Sequence, residues 1–210
     1  MAQPINTIIF DLGGVLIDWN PKYLFRKMFD SEEEVDYFLN HICTYEWNLK
    51  QDAGRTWEAA TQELIAIHPN YANEIKAYAE RWEEMLGESF EETVTLLQEL
   101  KQNANFKIYA LTNWSSETFP IAQRRFEFLS WFEGIVVSGV EKTRKPAEAI
   151  YHILLERYQI NAEQAVFIDD SFANIETAQK LGIHGIHCQD PAQVRSQLDQ
   201  LLSTTNGEIV

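Results

Sequence analysis

Three aspartates, a lysine and a Thr-Asn pair carry the chemistry this sequence offers, and each stands where an apolar run stops. Asp11 ends Thr7-Ile8-Ile9-Phe10 and precedes Gly13-Gly14, while Thr112-Asn113 ends Phe106-Lys107-Ile108-Tyr109-Ala110-Leu111. Lys145 lies just past Gly134-Ile135-Val136-Val137-Ser138, and Asp169-Asp170 ends Ala165-Val166-Phe167-Ile168. Short apolar runs bounded by turn residues read as buried strands. An acid at the end of such a strand is costly unless it is paired or bound to a metal. In a parallel sheet all of these strand ends share one edge, where open α/β sheets bind their ligands. Three carboxylates brought together repel one another. A divalent cation resolves the repulsion, and hard oxygen ligands favour Mg²⁺. A lysine, a hydroxyl and the backbone N–H groups of the glycine turn make an anion site beside it. Carboxylates around a metal next to an anion pocket are what phosphoryl transfer requires, because positioning and charge neutralisation supply most of its catalysis. Asp11 is then the nucleophile, forming an aspartyl-phosphate.

The elements that must position these groups can be read from periodicity. After Gly87 the chain alternates: helix 90–101, strand 106–111, helix 116–126, strand 134–138, helix 147–157, strand 165–168, helix 175–181 and strand 185–188. Alternation of this kind predicts an α/β fold, a Rossmann-like three-layer core with a parallel sheet between helices. Residues 21–86 are different, with helical patterns and few strand signals. Asn20-Pro21 is a cap and first-turn proline, Ser31-Glu32-Glu33-Glu34 has the spacing of a capping box, and Thr56 caps a helix through Ile67. Tyr71 begins a further helix that runs to Leu86 and is broken by Gly87. The division expected is a core of residues 1–16 and 88–210 with an inserted small α-helical cap of residues 17–87. Trp19, Trp47, Trp57 and Trp82 fall in or beside this insert, and aromatics at helical spacing belong more often to a core than to a binding site. The stretch from Tyr45 to Arg55 mixes aromatics, amides and both charges, and Gly54 offers a hinge. It reads as a specificity loop, with Trp47 as its substrate contact.

Composition narrows the partners. The chain has 210 residues, 45% hydrophobic and 23% charged, as expected of a soluble globular protein, and a formal net charge of −15. That field repels polyanions, so neither nucleic acid nor an anionic membrane surface is the expected partner. A small-molecule anion must be held by local cations and helix N-termini. Cys43 and Cys188 form no CxxC pair, and the N-terminal apolar run is short and contains an acid. A cytoplasmic, reducing location is the reading, without a signal peptide or membrane span. The five histidines show no mutual metal-ligand spacing, and residues 203–210 read as a frayed tail.

The four strand-end segments together resemble the haloacid dehalogenase superfamily of aspartate-nucleophile hydrolases over nearly the whole chain. Phe10-Asp11-Leu12-Gly13-Gly14-Val15 is similar to its first motif and Leu111-Thr112-Asn113 to its second. Arg144-Lys145-Pro146 with Ile150-Tyr151 is similar to the third, and Phe167-Ile168-Asp169-Asp170 with Asn174 to the fourth. The resemblance implies that Asp11 is the nucleophile and the Gly13 carbonyl a metal ligand. It further implies that Thr112 and Asn113 bind the phosphoryl oxygens, Lys145 stabilises their charge, and Asp169 and Asp170 hold Mg²⁺. A small phosphorylated metabolite is the implied substrate, a sugar phosphate by similarity to small capped sugar phosphatases, with the protein a monomer or weak homodimer.

One position departs from the pattern. Phosphatases of the superfamily usually place a second aspartate two residues after the nucleophile, as general acid and base, and here that residue is Gly13. General acid–base help is worth about 10²–10⁴-fold. Either the leaving group is a good one, as in a sugar 1-phosphate, or another group substitutes, with Asp18 and residues of the cap loop as candidates. Two rival readings follow. A 2-haloacid dehalogenase needs neither leaving-group proton nor metal, but has no use for Asp169 beside Asp170. A regulatory protein that lost catalysis has little reason to keep Asp11 and Lys145 together.

Overall fold

The structure is a computed structural model that describes residues 4–205. In chain order the elements are β1 (Thr7–Phe10), β2 (Ile17–Trp19), α1 (Lys22–Phe25), α2 (Glu32–His41), α3 (Tyr45–Asp52), α4 (Trp57–Ile67), α5 (Ala72–Glu80) and β3 (Leu86–Ser89). There follow α6 (Glu91–Gln102), β4 (Lys107–Thr112), α7 (Phe119–Arg125), β5 (Gly134–Val137), α8 (Ser138–Glu141), α9 (Glu148–Tyr158), β6 (Ala165–Asp169), α10 (Phe172–Lys180), β7 (His184–His187) and α11 (Pro191–Thr205). Five strands form one parallel sheet in the order β5-β4-β1-β6-β7. β1, the first strand in sequence, is therefore central, and β4 and β6 lie on either side of it.

All four residues of β1 are buried, as its uninterrupted apolar sequence requires of a strand covered on both faces. Successive side chains point to opposite faces. Ile8 and Phe10 pack with α6 and α11, while Ile9 packs with Tyr151 and Leu154 of α9 and Ile175 of α10. The three-layer α/β fold expected from the alternation is the one observed.

Residues 20–85 are helical with short turns and leave the sheet through an antiparallel pair, β2 with β3. Ser31 and Thr56 cap α2 and α4 as their spacing predicts. Several expectations need correction. The helix from Tyr71 stops at Glu80, and Trp82–Met85 turns tightly into β3, because Leu86 and Ser89 pair with β2. Helix α7 starts three residues later than expected, and α10 starts three residues earlier. The supposed loop at 45–55 is mostly α3. Thr44 accepts the Trp47 N–H at 3.1 Å and starts it, and Gly54, at φ +94°, follows its end. The C-terminal tail was expected from residue 203, but α11 continues to Thr205, and residues 206–210 lie outside the described residues. No helix among the described residues is long and apolar enough to cross a membrane.

Trp47, expected as a substrate contact, is 7% exposed and packs within the insert. Its ring meets Trp57 at 5.7 Å and Tyr78 at 5.2 Å, and Arg55 covers it at 5.7 Å. This aromatic cluster holds α3, α4 and α5 together. Trp47→Ala is expected to cost about 3–5 kcal/mol of unfolding free energy, the usual range for a buried large aromatic. Denaturant titration measures that loss. Trp47→Phe, which keeps much of the volume, should leave substrate KM in place.

Candidate active site

The carboxyl edge of the sheet gathers the polar strand ends around one ammonium. Lys145 is 1% exposed, and its Nζ donates to the Leu111 carbonyl at 2.8 Å and Asp169 Oδ2 at 2.7 Å, and pairs with Asp11 Oδ1 at 2.9 Å. Its three protons thus have three acceptors, contributed by β1, β4 and β6. Burial works against the charge of Lys145, but Asp11 and Asp169 outweigh it and hold the ammonium above its ordinary range. Asn113 fixes the approach of the lysine. Its Nδ2 donates to the Lys145 carbonyl at 3.0 Å, and its Oδ1 accepts the Lys145 N–H at 2.9 Å.

The three aspartates are not equivalent. Asp169 is fully buried and saturated, taking Lys145, the Ser171 N–H at 2.8 Å and Asn174 Nδ2 at 2.9 and 3.1 Å. Asp11 takes Lys145 and the Leu12 N–H, at 2.7 Å, both on Oδ1. Its Oδ2 has no donor among the described residues and is the oxygen left for chemistry. Asp170 is exposed at the rim and lies against Gly14. Gly14 has φ +73°, and any Cβ there would run into the Asp170 carboxylate, so only glycine lets the two loops meet.

One oxygen of each aspartate lies within 4.8 Å of the others. Three carboxylates and one ammonium leave two negative charges in excess, which is the charge a divalent cation balances. Burial first, with Asp169 and Asp170 adding to it against Lys145, pushes the Asp11 carboxyl up to about 8. Asp170 is raised as well, by burial and then by Asp169. These groups fit Mg²⁺: the donors are hard oxygens, and Asp11, raised to about 8, carries a proton near neutrality that a cation would displace.

A cavity of about 420 Å³ opens from Asp11, Gly13, Gly14, Lys145 and Asp170. Its outer wall comes from the helical insert. Tyr45, Asn48, Leu49 and Asp52 line it, at positions i, i+3, i+4 and i+7 of α3, which is one helix face. Trp47 and Gln51 occupy the opposite face and point into the insert. Trp19, Trp82 and Trp114 complete the wall, with Trp82 and Trp114 5.4 Å apart across the seam between insert and core. The indole N–H groups of Trp19 and Trp114 are buried without a partner.

The structure therefore brings Asp11, Gly13, Asn113, Lys145, Asp169 and Asp170 to one place. Thr112 ends β4 close by, but it is 1% exposed and does not line the cavity. Asn113 lines it while its amide is spent on the Lys145 backbone. Trp114, directly after Asn113, both lines the cavity and packs against Trp82. Asp18 lines the cavity too and accepts a bond from the Tyr23 hydroxyl. Sequence reasoning read residues 45–55 as a specificity loop but did not single out the Tyr45-Asn48-Leu49-Asp52 helix face. Its signal was present, a threonine cap at Thr44 followed by the helical spacing, but the mixed polarity of the stretch concealed it.

Comparison with known proteins bears on the family and the fold. A protein-family model described as haloacid dehalogenase-like hydrolase matches residues 5–182. The chain is 28% identical over 204 residues to a sesquiterpene phosphatase of Aspergillus oryzae, an alignment covering 96% of this chain and 99% of the relative. It is 24% identical to a phosphorylated carbohydrates phosphatase of Thermotoga maritima, over 87% of this chain and 84% of that one. In structure it resembles a haloacid dehalogenase family enzyme of Bacteroides thetaiotaomicron in complex with magnesium and inorganic phosphate. The TM-score is 0.72 at 22% identity, covering 93% of this chain and 98% of the other.

A cation entering this cluster displaces the Asp11 proton. Because Asp11 is raised to about 8, proton competition weakens binding below that pH and fades above it. Calorimetry should find Mg²⁺ bound more tightly at pH 8 than at pH 6, with proton release at the lower pH. Asn174→Ala, which frees Asp169 from its amide, should weaken the affinity about 10–100-fold.

Proposed function

The chain belongs to the haloacid dehalogenase-like hydrolases, and from that premise we propose that it is a Mg²⁺-dependent phosphomonoester hydrolase working through an aspartyl-phosphate. The observation that carries this reading is the division of labour at Asp11. One oxygen is pinned by Lys145 and the Leu12 N–H, and the other, without a donor among the described residues, belongs to a residue that lines the cavity. A carboxylate held in this way is an oriented nucleophile rather than a structural acid.

In the proposed reaction Asp11 Oδ2 attacks phosphorus, the P–O bond to the alcohol breaks, and water later opens the aspartyl-phosphate. Lys145 keeps Asp11 aligned, and its positive charge offsets negative charge that builds at the phosphoryl group. Asn113 keeps Lys145 in register. Asp11, Asp169, Asp170 and the Gly13 carbonyl are the groups that would hold Mg²⁺, which when bound neutralises phosphoryl oxygens and orients them for in-line attack. Residues 17–87 act as a cap, since residues of α3 and Trp82 form the outer wall of the cavity.

A small phosphate ester is the substrate class, and a sugar phosphate is our first reading. Tryptophan faces beside Asp18, Asn48 and Asp52 suit a ring with apolar faces and a hydroxylated rim, and the Thermotoga maritima relative is a carbohydrate phosphatase. The three tryptophans and Leu49 equally support an ester with an apolar body, as in the Aspergillus oryzae relative. Asp170 argues against the metal-free dehalogenase. Nothing in that reaction offsets a third carboxylate against Asp169.

Phosphate release from an aryl phosphate and a panel of sugar and prenyl phosphates tests this reading. Turnover should require Mg²⁺, stop with chelator, and fall at least about 10³-fold in Asp11→Asn, as for loss of other nucleophiles. A 2-chloro acid should release no halide. Metal-independent halide release without phosphate release would assign a dehalogenase instead.

A further inference from the structure

The position two residues after the nucleophile is Gly13, so the reaction proposed above lacks a proton donor on β1 or its turn. We infer that Asp52, reaching the cavity from helix α3 of the insert, is the general acid that protonates the leaving group. This inference rests on the phosphomonoesterase reading.

The geometry favours Asp52 over the other free acid of the cavity. Asp52 is 9% exposed, lines the same cavity as Asp11, and stands at the end of the α3 face that covers the carboxylate cluster. Tyr45, at the start of that face, feels the charges of Asp52, Asp170 and Asp11 together, so the face spans the space between nucleophile and acid. Asn48 Nδ2 donates to Asp52 Oδ2 at 3.2 Å. That leaves Asn48 Oδ1, on a residue 7% exposed, buried in the cavity wall without a partner. An unpartnered acceptor beside a carboxyl is a place for the hydroxyl of an alcohol. Both acids accept hydrogen bonds, Asp18 from the Tyr23 hydroxyl, and the contrast between them is burial: Asp18 is half-buried, Asp52 nearly covered.

The surroundings also suit proton exchange. Arg144, in the loop before Lys145, and the Ser115 backbone N–H support the charged form of Asp52, while Tyr45 of the same helix and Tyr78 of α5 feel that charge. Burial is the larger influence and pushes the carboxyl up to about 7 against Arg144 and Ser115. Near neutrality the protonated and charged forms are therefore both populated, as an acid that must later act as base requires.

The step balances. Asp11 Oδ2 forms the P–O bond, the bond to the alkoxide oxygen breaks, and that oxygen takes the proton of Asp52, leaving as a neutral alcohol. The Asp52 carboxylate, stabilised by Arg144 and the Ser115 amide, then takes a proton from the water that attacks the aspartyl-phosphate. The products are inorganic phosphate, the Asp11 carboxylate and protonated Asp52.

The test is the dependence of kcat/KM on leaving-group pKa, from p-nitrophenyl phosphate to alkyl phosphates, with Mg²⁺ saturating at every pH. Wild type should show a shallow dependence, and its alkyl phosphate rate should fall as pH rises through about 7 while Asp52 loses its proton. Asp52→Asn should steepen the dependence, costing about 10²–10⁴-fold on alkyl phosphates and progressively less as the leaving group becomes more acidic. It should also remove the fall above pH 7, whereas Asp18→Asn should keep the wild-type slope. A steep dependence in wild type overturns the inference without need of a folded variant. So does steepening in Asp18→Asn but not in Asp52→Asn, or an equal loss on every substrate. If wild type releases phosphate from none of these esters, the phosphomonoesterase reading itself falls and this inference falls with it.

Discussion

The pairing of one buried ammonium with two buried carboxylates, at the ends of adjacent strands, is the constraint on which the rest of the site depends. Lys145 is buried as completely as the core aliphatics, and its charge is tolerable there only because Asp11 and Asp169 meet it at 2.9 and 2.7 Å. Those acids in turn need the lysine. Removal of either side would strand a charge in a low-dielectric interior, a cost of about 3–5 kcal/mol for a broken buried pair. The arrangement therefore fixes more than electrostatics. It specifies which oxygen of Asp11 is occupied and which is free, and so turns a strand-end acid into an oriented nucleophile.

That constraint propagates outward through polar contacts. Asn113 holds the Lys145 backbone from both sides of its amide, Asn174 and Ser171 occupy what Lys145 leaves of Asp169, and Tyr151 donates to the Asn174 carbonyl at 2.9 Å. Each loop after a strand is thus tied to the next, and the edge of the sheet becomes a single rigid platform. A platform that must receive phosphate or metal gains from such rigidity, because groups already in place lose little entropy when the ligand arrives.

The helical insert meets this platform along a seam with its own logic. Glu117 of the core accepts the Trp57 N–H at the start of α4, at 3.1 Å. Arg125 reaches the Leu86 and Gly87 carbonyls, and the Trp82 ring meets Trp114. Gly54 lies against Gly139 and Lys142, in the space where a side chain would crowd the core. These contacts bring one face of α3 over the carboxylates. The opposite face, carrying Trp47, is bound into the aromatic cluster of the insert. Chemistry on one side of the helix and cohesion on the other are separated by nothing more than the 3.6-residue period.

The sequence by itself determined the strands, their polar ends and the common edge. A buried parallel strand must be apolar throughout, so Asp11, Asn113 and Asp169 stand out against such runs. Topology then puts all such ends together without knowledge of any coordinate. Helix caps at Ser31 and Thr56 were legible for a similar reason, since a cap is a local interaction between residues three apart. What only the tertiary structure decided are matters of partner and direction. Trp47 and Asp52 sit five residues apart in one polar-aromatic stretch. One is core and the other faces the cavity, because α3 packs on Trp57 and Tyr78 along one side and over Asp11 along the other. The free oxygen of Asp11, the saturation of Asp169 and the exposure of Asp170 likewise depend on where Lys145 lands. It comes from a loop well over a hundred residues from Asp11, and no local pattern encodes an approach that long-range packing alone creates.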